Sequence, residues 1–98
     1  MSFRTEVLLS VQRALWGNVT PHMRAIAVGW EGGVVRARFL LDREPREEDL
    51  EIISDVEGYV IADFPTRTPM AFTAQYDVDK PLKHLPGEGW WAYVRHGG

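Results

Sequence analysis

The most constraining stretch of this chain is MRAIAVGWEGGVVRARFLLD, residues 23–42. Apolar side chains alternate on both sides of Gly32-Gly33, a pair suited to a two-residue hairpin turn. The spacing predicts strands over 23–31 and 34–42. A two-residue turn then sets Trp30 opposite Val35, Val28 opposite Ala37 and Ile26 opposite Phe39. All six are apolar and fall on one face, and slipping the register by one residue would turn them to the other. That second face carries Arg36 opposite Gly29 and Arg38 opposite Ala27.

The hairpin is followed by EPREEDLEIISDVEGYVIADFP, residues 44–65, whose pattern changes from period two to the helical period. Pro45 suits a first helical position, because its φ is already set and its missing N–H is not needed there. Glu47, Glu48 and Asp49 would then meet the positive end of the helix dipole. Ile52, Ile53, Val56, Tyr59, Val60 and Phe64 form one broad apolar arc. Glu47, Glu48, Glu51, Ser54, Asp55 and Ala62 form the opposite one. Glu57 alone among the carboxylates falls within the apolar arc and reads as a rim residue whose stem covers the edge of the core. Pro65 closes the helix.

Residues 2–16 read as another helix. Ser2 caps it, and Phe3, Val7, Leu8, Val11, Ala14 and Leu15 form its stripe. Gly17 stands where a glycine ends a helix. Strands are expected at about 69–78, where Met70, Phe72, Ala74, Tyr76 and Val78 alternate with smaller or polar residues, and at 90–96. A loop rich in Pro and Gly separates them, and Gly97-Gly98 should be loose. The order is α-β-β-α-β-β. One-sided helices and strands predict a two-layer α+β domain over residues 1–98, with a mostly antiparallel four-stranded sheet and both helices on one face. The third strand could lie beside either strand of the hairpin.

There is no cysteine, so neither disulfides nor thiolate metal sites are possible. No stretch approaches the ~20 apolar residues of a membrane span, and the N-terminus lacks the apolar run of a signal peptide. A cytoplasmic protein is expected. The net charge is −3, with 14 acidic and 11 basic residues, which argues against nucleic acid as the main partner. Eight carboxylates and two arginines lie between Asp42 and Glu57. This run either is a solvated helix face or steers a basic partner, with Glu47, Glu48, Glu51 and Asp55 in the leading positions.

The residues show no catalytic apparatus. P-loop, G-x-S-x-G and G-x-G-x-x-G motifs are absent. His22, His84 and His96 have no ligand-like spacing and read as solvated side chains. Ser2, Ser10 and Ser54 read as caps or helix-surface residues. No enzyme activity, metal or cofactor is expected. The sheet face opposite the helices is more informative. If Trp90, Ala92 and Val94 point inward, then Trp91, Tyr93 and Arg95 join Arg36 and Arg38 outside. That set has the composition of a protein-interface hot spot and equally of a stacking platform for single-stranded RNA.

The segments ALWGNVTPHMRAIAV, EPREEDLEIISDVEGYVIADFP and QYDVDKPLKHLPGEGWWAYVR, together with the glycine-turned hairpin, resemble a family of small bacterial proteins over nearly the whole chain. Its most specific features here are the G-N-V-T-P connector, the E-x-x-E-D helix start, the A-D-F-P helix end and the aromatic-Tyr-x-Arg last strand. The family is similar to the immunity proteins of contact-dependent growth inhibition and polymorphic-toxin systems. That resemblance implies a non-enzymatic inhibitor that binds and neutralises a cognate toxin domain. A small RNA- or ribosome-associated module acting through the outer sheet face is the alternative. The third strand, MAFTAQ, departs from the family pattern in lacking further acids, so any partner specificity carried there would differ.

Overall fold

The computed structural model describes residues 3–31, 33–64, 68–76 and 90–95, without the side chains of Phe3, Arg4 and Glu31. The fold is α+β: α1 (Phe3–Leu15), β1 (Met23–Glu31), β2 (Val34–Leu41), α2 (Glu47–Ala62), β3 (Met70–Tyr76) and β4 (Trp90–Val94). The strands form one mixed sheet in the order β3-β2-β1-β4.

The hairpin has the expected register, with Trp30 opposite Val35, Val28 opposite Ala37 and Ile26 opposite Phe39. Gly33 has φ +79°, a conformation in which side-chain-bearing residues are strained. Five of the six paired apolar residues are fully buried; Trp30, at the open end, is 37% exposed. β3 lies beside β2 and runs parallel to it, from Val35–Met70 to Leu41–Tyr76. A connection through a sixteen-residue helix allows this, because a crossover helix returns the chain to the same end of the sheet. The other two pairings, β1–β2 and β1–β4, are antiparallel.

One buried cluster gathers Val7, Val11, Ala14 and Leu15 of α1 and Ile53, Val56 and Val60 of α2. It also holds Ile26, Val28, Val35, Ala37 and Phe39 of the sheet. The ring centroids of Phe39 and Phe72 lie 6.3 Å apart in a tilted arrangement, within the usual range of aromatic pairs.

The ends of α2 differ from the sequence expectation. The helix begins at Glu47 with Arg46 as its N-cap, so Pro45 precedes the cap instead of opening the first turn. The reason is Asp49. Its side chain accepts a hydrogen bond from the Arg46 backbone N–H at 2.9 Å, which fixes the cap one residue after the proline. At the other end Asp63 is the C-cap, its N–H donating to the Val60 carbonyl at 3.0 Å. The helix therefore stops before Phe64. Tyr59, placed on the apolar arc by its spacing, is 59% exposed. It sits at the arc's edge, beside a hollow beyond the end of α1. Ser2, Gly32, Pro65, the loop 79–89, His84, His96 and Gly97-Gly98 lie outside the described residues.

Candidate functional site

Two surfaces carry the residues singled out from the sequence. The first is the solvent side of α2. Glu47, Glu48, Glu51 and Asp55 are all exposed. Glu48 lies 3.0 Å from Arg43 Nη2; among the described residues the other three make no ion pair. Helical spacing places Glu47, Glu51 and Asp55 in one row.

Behind this row the buried end of the acidic run does structural work that the sequence reading missed. Asp49 is 1% exposed. It receives Arg43 Nη2 at 2.9 Å and Arg43 Nε at 3.3 Å as well as the Arg46 N–H. Arg43 chiefly, with the Arg46 N–H, holds the Asp49 carboxyl below its ordinary range, and the same pairing raises Arg43. The signal was present in the spacing. Asp49 precedes Ile53 by four residues and Val56 by seven, which places it on the buried stripe.

The second surface is the sheet face carrying Arg36 and Arg38. Both are exposed, and neither makes an ion pair among the described residues. Their β1 partners are Gly29 and Ala27, and their β3 partners are Ala71 and Thr73. Ala27 in turn pairs with Trp91, so Thr73, Arg38, Ala27 and Trp91 form one row across all four strands.

Tyr93 and Arg95 do not join this row as the period-two reading required. Between Ile26 and Ala27 the β1–β4 register shifts, with Tyr93 opposite Ile26 but Trp91 opposite Ala27. Ala92 is the extra residue of a bulge, which reverses the alternation. Ala92 and Tyr93 therefore both pack against the buried cluster, and Val94 is exposed instead. Arg95 Nη1 donates to Asp42 Oδ2 at 2.8 Å and to the Pro21 carbonyl at 2.9 Å, while its backbone N–H donates to the Arg24 carbonyl.

Asp42 also meets His22 Nδ1 at 3.1 Å, so His22 is engaged within the fold although its side chain remains 42% exposed. Arg95 foremost, then His22, keeps the Asp42 carboxyl below its ordinary range. Ser10 likewise is no surface residue. It is buried, and its Oγ donates to Asp63 Oδ2 at 2.5 Å, tying α1 to the end of α2. Ser54, by contrast, is exposed on α2, as its position on the polar arc required.

The arrangement presents charged and aromatic side chains on open surfaces. Among the described residues no group of three His, Cys, Asp or Glu side chains is placed to hold a metal ion, and no helix is long and apolar enough to cross a membrane. A family model for the MafI2 immunity protein matches residues 4–97, and the chain belongs to that family of immunity proteins. No curated protein matches it. Immunity protein families are generally non-catalytic and have protein partners such as toxins.

Proposed function

We propose that this chain, as one domain over residues 1–98, is a non-enzymatic cytoplasmic inhibitor. It binds the toxin domain of its own contact-dependent or polymorphic-toxin system and blocks it. Both helices lie on one side of the sheet in this reading, supported by the single buried cluster they share with Ile26, Val28, Val35, Ala37 and Phe39. The contact surface is the solvent side of α2. The observation that carries this choice is the row Glu47, Glu51 and Asp55, exposed and without internal counter-ions among the described residues. Carboxylates held on a rigid helix and left unpaired are available to a basic partner, where charge complementarity speeds association and rejects other partners. The test is the association rate with the cognate toxin domain, measured at two salt concentrations.

The RNA reading has one specific observation in its favour. Arg36 and Arg38 have no partner among the described residues, and Trp91 shares a row with Arg38. It is weakened by Tyr93, which packs inward, and by Arg95, which is held by Asp42. Two cations and one aromatic side chain make a poor electrostatic track for a phosphate backbone.

A further inference from the structure

Trp16, directly after α1, is 89% exposed, more than any other large apolar side chain described. Tryptophan is on average highly buried, so an indole left this open on a well-held backbone is out of keeping with a stability role. The backbone is well held. The Trp16 N–H donates to the Arg13 carbonyl, the Asn18 N–H to the Leu15 carbonyl, and Asn18 Nδ2 to the Ala14 carbonyl. Gly17, at φ +83°, completes the turn.

The indole borders a solvent-open hollow of about 440 Å³ between the end of α1 and the last turns of α2. Tyr59, Arg13 and Asp63 also line it. That volume lies within the range of side-chain and small-ligand pockets. Arg13 offsets Asp63 within the hollow, so the negative sign around it comes from the acidic row of α2 beside it. Asp63 is fixed by Ser10 and by Arg13 Nη2 at 3.1 Å, and both contacts use Oδ2. Tyr59 continues the exposed line of Glu51 and Asp55 at four-residue spacing, so the hollow is the far end of the acidic row.

We infer that this hollow is the anchor point of the toxin interface, and that it receives an arginine or lysine side chain from a basic face of the partner. The cation lies against the aromatic surfaces of Trp16 and Tyr59 and is drawn to Asp63, while the neighbouring carboxylates of α2 meet the charges around it. Arg13, 67% exposed, already places a guanidinium on Asp63, and the incoming cation displaces it or shares the carboxylate with it. This assignment rests on the toxin-binding reading and adds a hot spot to it. Trp, Tyr and Arg are the residue types on which interface energy concentrates.

The experiment is calorimetric titration of the intact chain and three variants with the cognate toxin domain. Trp16→Ala and Tyr59→Ala should each weaken binding about 30-fold or more, the level that marks a hot spot. Val94→Ala, which trims an exposed apolar side chain of β4 away from α2 and the hollow, should change it less than about threefold by the same scale. Thermal unfolding checks that all three remain folded. Full affinity in both aromatic variants overturns the anchor assignment and leaves the toxin-binding reading standing. An intact chain that does not bind the toxin overturns both. A concentration-dependent dimer that Trp16→Ala abolishes overturns the assignment in favour of a second copy as occupant.

Discussion

The Glu57 carboxylate of α2 accepts a hydrogen bond from the Phe72 backbone N–H at 3.1 Å. Among the described residues β3 is an edge strand that pairs only with β2, so this bond occupies a backbone donor that would otherwise stand open on the sheet edge. Open edges invite pairing with other chains, and a carboxylate laid along one is a recognised guard. The half-buried position of Glu57 within an otherwise apolar arc has its explanation here. Glu57→Ala should cost roughly 1–2 kcal/mol, as expected for one charge-assisted bond at a partly solvated site. It should also raise self-association. Denaturant midpoints and sedimentation velocity at two protein concentrations measure both effects. An unchanged midpoint with no new oligomer would assign Glu57 to plain surface.

The depressed carboxyls define an acid limb of stability. Asp42, Asp49 and Asp63 all lie below their ordinary value of 3.8, through Arg95, Arg43 and Ser10 respectively as the leading causes. A carboxyl whose folded value is lowered contributes stability that is fully present above the unfolded value. That contribution is lost as pH falls toward the folded value. Stability should therefore hold down to about pH 5 and fall progressively below about 4. Asp49→Asn, which keeps the shape but not the charge, should flatten that limb. It should also lower stability at neutral pH. Urea midpoints between pH 3 and 7 provide the measurement, and a wild-type slope in the Asn variant would place the acid limb elsewhere.

Much of this fold could be read from its residues because hairpin register and helix face depend on local spacing. Gly32-Gly33 set the pairing of Ile26 with Phe39, and the positions of Ile53, Val56 and Val60 predicted their burial. The errors arose where one residue changed the phase or where a long-range partner decided the outcome. Ala92 bulges β4 and turns Tyr93 inward; no property of WWAYV announces that extra residue. Asp42 claims Arg95 across 53 positions of sequence, and Asp63 claims Ser10 across the same separation. Only the folded chain brings those pairs together. The acidic row of α2 was legible because exposure on a helix follows from the same spacing as burial. Trp16 was not singled out, because a lone tryptophan after a helix carries no periodic signal that distinguishes an exposed ring from a buried one.

The two sides of α2 should respond to substitution very differently. Ile53, 4% exposed, belongs to the buried cluster. Ile53→Ala should cost ~2–5 kcal/mol, the range for emptying an aliphatic core site. Glu51→Ala, on the exposed row, should stay within about ±0.5 kcal/mol. Asp49→Ala belongs with the core despite its charge, and should cost roughly 2–3 kcal/mol because it removes charged hydrogen bonds at a buried site. Guanidinium midpoints order the three. A Glu51 effect as large as that of Ile53 would contradict the orientation of the helix.

Charge on α2 should control the rate of encounter with a basic toxin domain. Exposed charges are screened beyond a Debye length of ~8 Å at physiological ionic strength, so association should slow as salt rises. Reversing Glu47, Glu48, Glu51 and Asp55 together should slow it further at low salt while leaving the circular dichroism spectrum unchanged, since all four are exposed. Stopped-flow tryptophan fluorescence gives the rate. A rate that ignores both salt and the reversal would leave the row as solvated surface with no part in steering.

The Arg36 face separates protein recognition from RNA recognition. With Tyr93 packed against the core and Arg95 paired to Asp42, an RNA strand would have Arg36 and Arg38 for phosphates and Trp91 for stacking. Each stacked base contributes ~1–3 kcal/mol, so a single ring with two cations supports only weak, salt-sensitive attachment. Fluorescence anisotropy with mixed-sequence single-stranded RNA should show no binding tighter than about 10⁻⁴ M at physiological salt, the weak end of non-specific affinities. Trp91→Ala should leave that result unchanged, because no base would be stacked there to lose. Micromolar binding that disappears in Trp91→Ala, and that weakens steeply with salt in the unaltered chain, would instead assign this face to RNA. The acidic row would then serve to keep nucleic acid off the helical side, by repelling phosphates from Glu47, Glu51 and Asp55.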